Sequence, residues 1–193
     1  MPQRLTPEDI DRGAATIGCE PAALRAVIEV ECGQGGGFYA DGRPKMCFEP
    51  HYMWRNLAGR PDLQEAAQAA GVAHPDWQPH DYPAGPDAMY ARLGRAQDID
   101  ETAALQSCSW GIGQVMGIYW REAGYATVQD MVAAMCESEG AQLDLMVGFI
   151  QRNGLGPSLT SHDWAGFARR YNGPGYAANR YDEKLAEAYA RLS

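Results

Sequence analysis

The residue with the most chemical content in this sequence is Glu31. If the segment from Glu20-Pro21 is helical, Leu24, Val27, Ile28 and Glu31 recur at the spacing of one helix face. Seven residues return a helix to within about 20° of its start, so Glu31 shares the Leu24 face, while Glu29 points about 140° away. A carboxylate at the C-terminal end of an apolar stripe meets partial burial and the negative end of the helix dipole, and both raise its pKa. A carboxyl group that stays protonated near neutral pH can give its proton to the leaving oxygen of a glycoside. The plainer alternative is that Glu31 pairs with an arginine, or turns outward where the helix frays. Glu49 closes the apolar stretch Met46-Cys47-Phe48. A second acid beside Glu31 would act as base or nucleophile on the same sugar bond. Taken alone, Glu49 also reads as a solvated strand-end residue.

These two acids need elements to hold them. Thr6-Pro7-Glu8-Asp9 is a helix start, with Thr6 as cap, Pro7 at the first helical position and Asp9 completing a capping box; that helix ends near Gly18. The next runs from Pro21 to Cys32 and stops at a glycine run. Apolar residues on either side of Asp41-Gly42 predict a β-hairpin made of Phe38–Ala40 and Lys45–Glu49, the one good strand signal in the chain. Residues 51–71 read as interrupted helix. Residues 72–86 carry Pro75, Pro79, Pro83 and Pro86 with Trp77 and Tyr82, and read as a long ordered loop whose aromatics could wall a cleft. Helices are expected over 87–97 and 101–107. A short one, capped by Ser109, is expected to reach Met116. Further helices are expected from Thr127 to about 138, over 139–152, 162–171 and 176–191, with breaks at Gly154 and Gly156-Pro157 and at Asn172–Gly175. The sum is an α+β class that is predominantly α: one helical domain over residues 1–193 with a small β-hairpin lobe, and no separate binding domain is expected.

Composition narrows the partners. The chain has 193 residues, 46% of them hydrophobic and 21% charged, which are globular values. Its mean hydropathy is -0.40, and no run of about 18 apolar residues predicts a membrane span. The residues after Met1 lack an apolar core, so a cleavable signal peptide is not expected. Lys and Arg number 16 against 25 Asp and Glu, a net charge of -9. A protein that grips phosphate backbones is usually basic, so nucleic acid is a poor partner. The five cysteines, Cys19, Cys32, Cys47, Cys108 and Cys136, form no C-x-x-C or C-x-x-H pair. Neither a disulfide framework nor a metal site is expected; buried free thiols in a reducing compartment are. No cofactor is called for. A Cys32/His51 thiol dyad is conceivable, but nothing in the sequence activates the thiol.

Four blocks carry a resemblance. They are Ala22 through Glu31; Asp41-Gly42-Arg43-Pro44-Lys45-Met46-Cys47-Phe48-Glu49-Pro50-His51; Ala104 through Gly117, containing Ser109-Trp110-Gly111-Ile112-Gly113-Gln114; and Trp164 through Tyr176, containing Tyr171-Asn172-Gly173-Pro174. In this order, over about residues 20–190, the chain resembles the phage-type N-acetylmuramidases, endolysin and prophage lysin domains of lysozyme-like fold. More distantly it is similar to goose-type lysozymes and lytic transglycosylases, in which a Glu ends a helix, a Gly-x-x-Gln segment lines the cleft and a Tyr-Asn pair follows. The departure is Cys32, where the family usually has Ser after the acid; a thiol is the poorer hydrogen-bond partner.

The resemblance implies cleavage of the β-1,4 bond from N-acetylmuramic acid to N-acetylglucosamine in peptidoglycan, with Glu31 as general acid and Glu49 activating water or stabilising the transition state. It implies that Gln114 bonds an N-acetyl group or ring hydroxyl, that Tyr171 brings its hydroxyl near Glu31, and that Asn172 contributes to substrate binding. Each has a simpler reading: a structural amide for Gln114, core packing for Tyr171, a helix C-cap for Asn172. Two rival functions share the fold, a lytic transglycosylase that yields 1,6-anhydro products and a non-catalytic peptidoglycan-binding module. The expected enzyme is a monomer that binds glycan strands and neither nucleic acid nor membrane. It is expected to be made in a host cytoplasm and to act on the wall in the periplasm after release.

Overall fold

The computed structural model describes residues 2–78 and 81–193, so Pro79 of the expected loop lies outside the described residues. Eleven α-helices and a three-stranded sheet form it. Helix α1 (Pro7–Ile17) opens on the Thr6/Asp9 capping box and closes on Gly18 in the left-handed conformation. Helix α2 (Pro21–Cys32) buries Ala23, Leu24, Ala26 and Val27 and runs into a 3-10 turn at Gly33–Gly35. Helices α3 (Pro50–Asn56), α4 (Pro61–Ala69), α5 (Pro86–Gln97) and α6 (Glu101–Gln106) follow the expected pattern.

The small β lobe is wired differently from the expectation. Phe38 and Pro44 form only an isolated bridge, so residues 38–45 make a ribbon around Asp41-Gly42 without becoming a strand pair. Strand β1 (Met46–Phe48) pairs instead with β2 (Cys108–Trp110), which pairs with β3 (Val115–Met116), all antiparallel. Hence no helix spans 109–116, and Ser109 is a strand residue, not a cap. The positive φ of Gly111 and of Gln114 turns the chain back between β2 and β3, which a helix would not allow.

Helices α7 (Val128–Glu137) and α8 (Glu139–Arg152) come next, and α8 crosses the middle of the molecule. It buries Leu143, Leu145, Met146, Val147 and Ile150, and with them the polar Glu139 and Gln142. A short α9 (Gly156–Thr160) occupies a stretch expected to be a break. Helix α10 (Trp164–Tyr171) ends at Asn172, and α11 (Tyr181–Leu192) packs along α2. All five cysteines are unpaired; Cys108 is buried and Cys136 is exposed, so burial of every thiol does not hold.

Candidate active site

Helix α2 delivers Glu31 as its periodicity requires. Leu24 and Val27 sit in the core, and Glu31 emerges half-buried one turn further along the same side. Glu29, on the other side, is the residue that pairs with an arginine, Arg191 of α11. Burial pushes the Glu31 carboxyl above the usual glutamate value, opposed by one hydrogen bond: Asn172 Nδ2 donates to Glu31 Oε1 at 2.7 Å. Asn172 is also the C-cap of α10, its backbone N–H on the Ala168 carbonyl. The amide and the helix end are therefore fixed together, 141 residues away in sequence from the acid they contact.

The Tyr171 hydroxyl makes no hydrogen bond to Glu31, although burial and, second to it, the nearby carboxylate charge raise its pKa. The phenol is buried between Phe149 and Phe167, ring centroids 5.5 and 5.2 Å away, and donates to the Gly113 carbonyl at 3.0 Å. It thus packs under the Gly111–Gln114 turn and holds it. Gln114 sits there with φ +44°, a conformation that costs a non-glycine residue energy and recurs at functional sites. Its amide is held locally: Nε2 donates to the Gly111 carbonyl at 2.9 Å, and Oε1 accepts from Ser109 Oγ at 3.0 Å. One N–H and one lone pair remain for another partner.

Around these residues the surface is concave. A cavity of about 160 Å³ is lined by Glu31, Cys32, Tyr39, Lys45 and Gln114. A second, of about 180 Å³, continues past Gln114 over Met116, Tyr119, Phe149 and Tyr171. Glu31, Gln114 and Tyr171 therefore belong to one groove.

Glu49 lies in a separate hollow. Following β1, it caps the start of α3 and is half-buried. Both its oxygens accept from the Tyr82 hydroxyl, at 3.0 and 3.1 Å, and Trp77 Nε1 donates to that hydroxyl at 3.2 Å. Burial raises the Glu49 pKa, while the Tyr82 and Cys47 contacts pull it down. The proline-rich loop thus brings Trp77, 57% exposed, and Tyr82 to the second acid as a wall. Glu31 and Glu49 line separate hollows, joined across the sheet. Gln114 bonds Ser109, Ser109 pairs with Cys47 in register, and the Cys47 thiol lies 3.8 Å from Glu49 Oε1. His51 Nδ1 is 3.4 Å from Glu49, whereas Cys32 gives its thiol hydrogen to the Ile28 carbonyl and lines the Glu31 cavity. No dyad forms between them. Trp110 belongs to the core, its indole N–H on the Leu105 carbonyl.

Two supports were not singled out in the sequence. Glu139 accepts from Arg4 Nη1, from the Leu5 N–H and from the Gly37 N–H at 2.8–2.9 Å. Gln142 accepts from the Ile112 N–H at 3.1 Å and donates to the Met135 carbonyl at 2.9 Å. One α8 turn therefore holds both the loop after Glu31 and the turn that presents Gln114. A Cβ at Gly37 would lie 1.7 Å from Gln142 Oε1, so only glycine fits there. The available signal was a pair of polar residues, three apart, on the side of the helix that also carries Leu143 and Met146, apart from its other polar residues Asp144, Gln151 and Arg152.

The profile of the N-acetylmuramidase family matches residues 20–193. No curated protein matches the chain. Among solved structures, the chain is similar to the crystal structure of Burkholderia AP3 phage endolysin, at 41% identity and a TM-score of 0.89, over 100% of this chain and 73% of that one. A groove with a buried acid at a helix end, on a predominantly helical fold matched along nearly its whole length, places the chain in the N-acetylmuramidase family, as a glycoside hydrolase of peptidoglycan.

Proposed function

We propose that the protein is an endolysin that cuts the β-1,4 bond from N-acetylmuramic acid to N-acetylglucosamine, with Glu31 as the general acid. The observation that carries this is the state of Glu31: half-buried, its pKa raised by burial, and facing a groove it shares with Gln114. Burial in the groove favours the protonated carboxyl, the form that can give its proton to a glycosidic oxygen. Asn172 positions the acid. Its N–H favours the carboxylate left after proton transfer, so it helps the group in the half of the cycle when it is charged.

Glu49 is the second carboxylate in this reading, polarising water from across the sheet. The Ser109–Gln114 pair and Cys47 lie between the two acids. Gln114 offers its spare N–H and lone pair to the sugar, Tyr171 supports the turn beneath it, and Trp77 gives an exposed face for stacking.

Glycan strands are its partner, and the net charge of -9 argues against nucleic acid as another. Synthesis in a reducing host cytoplasm, followed by release to the periplasmic wall, agrees with five unpaired cysteines.

Mass spectrometry of digested walls tests the reaction. Reducing muramic acid ends from the wild type, absent with folded Glu31→Gln, are the expected result. Anhydro ends would indicate a transglycosylase, and a Glu31→Gln variant keeping more than about a tenth of the activity would overturn the assignment of the acid.

A further inference from the structure

Lys45 has a place the mechanism does not use. It stands at the end of the 38–45 ribbon, which is tied from outside: Tyr90 donates to the Pro44 carbonyl at 2.7 Å, and Arg43 pairs with Asp41 and Asp87. Inside, the ribbon turns Tyr39 and Lys45 into the cavity that holds Glu31. The half-buried Lys45 ammonium has one recorded acceptor, the Cys32 carbonyl at 3.4 Å, and no carboxylate oxygen within 4.0 Å among the described residues. Glu31 is not its partner, since that carboxyl is held by Asn172. An ammonium has three donors, so Lys45 keeps donors free for a further acceptor at this cavity. In a chain of net charge -9, such a cation beside the acid suits an anionic ligand.

We infer that Lys45 is a specificity-determining residue that receives a carboxylate of the peptide stem on the muramic acid next to the scissile bond. The muramic lactyl ether carries this peptide in amide linkage, so in an intact strand the stem supplies the carboxylates, and amide hydrolysis would leave one on the lactyl group itself. The inference deepens the reading of the Glu31 groove as the glycan site and rests on it.

The test compares two substrates, glycan strands bearing their stems and strands stripped by an amidase, with the freed lactyl carboxylates then capped as methylamides. The wild type should show a higher kcat/KM on stem-bearing strands. Lys45→Met should lower the ratio of the two kcat/KM values about tenfold, chiefly through KM, as expected for loss of one charge-assisted contact. Lys45→Arg should keep most of the ratio. Lys45→Gln, which retains a donor for the Cys32 carbonyl without the charge, reads the same ratio should the methionine variant melt too low. A wild type without preference, or neutral variants with the wild-type ratio, overturns the inference. Cleavage of stripped strands by the wild type, lost in Glu31→Gln, checks the parent reading separately.

Discussion

Gln142→Leu tests whether α8 holds the groove together. Leucine approximates the volume of glutamine and keeps the helix, so the change removes hydrogen bonds with little cavity. Two backbone groups lose their partner: the Ile112 N–H, in the turn that presents Gln114, and the Met135 carbonyl at the end of α7. Gln142 is 1% exposed, so water does not readily replace it. Leaving a buried backbone group unsatisfied costs about 1–3 kcal/mol, so the pair costs about 2–6 kcal/mol. That is a large part of the roughly 5–15 kcal/mol holding a typical domain together. At about 2–4 °C per kcal/mol for a chain of this size, the melting temperature should fall by roughly 5–20 °C. Glu139 still ties Gly37 to α8, so the fold persists, but the Gln114 turn loosens. Wall hydrolysis measured well below the new melting point should drop by about 10–100-fold, the penalty of a misplaced contact near the reacting bond. Calorimetry and a turbidity assay on purified walls read both effects. An unchanged melting temperature with full activity would refute the reasoning that these two bonds position the groove.

Two further predictions concern pH. Asn172→Ala removes the hydrogen bond that lowers the Glu31 pKa and leaves burial unopposed, so the alkaline limb of the kcat/KM profile should move to higher pH; a shift to lower pH contradicts it. The folded-state pKa of Glu31 is raised above its ordinary 4.5, so its protonation stabilises the fold fully below that value, and this stabilisation is lost as pH rises through the folded pKa. Glu31→Gln cannot lose it. Its melting temperature relative to the wild type should therefore rise from acid to neutral pH, as calorimetry at the two conditions would show; a difference that shrinks contradicts the sign.

What could be read in the sequence was local. The face of α2 that carries Glu31 follows from four residues at helical spacing, and the α1 start from one capping box. The proline loop as a cleft wall was also legible, from Trp77 and Tyr82 among its prolines. Strand pairing was not. Strand β1 is three residues long and its partner lies some 60 residues on, while Gly111 and Gly113 beside Ser109 resemble a helix cap more than a turn between strands. The Asn172–Glu31 contact joins the ends of two helices far apart in sequence, and neither helix marks it. Tyr171 was placed near the acid by analogy, and the Glu31 charge does act on it, second to burial, but its hydroxyl takes the carbonyl of Gly113 as acceptor.

Everything in the mechanism depends on where the Glu31 proton sits. Carbon-13 NMR of the labelled side-chain carboxyl, titrated with and without a muropeptide, measures it directly. The account predicts a Glu31 pKa above that of a hydrated glutamate, with the bound saccharide perturbing Glu31 and Gln114 together. A Glu31 that ionises like an exposed side chain, with saccharide-induced shifts confined to another surface, would contradict it.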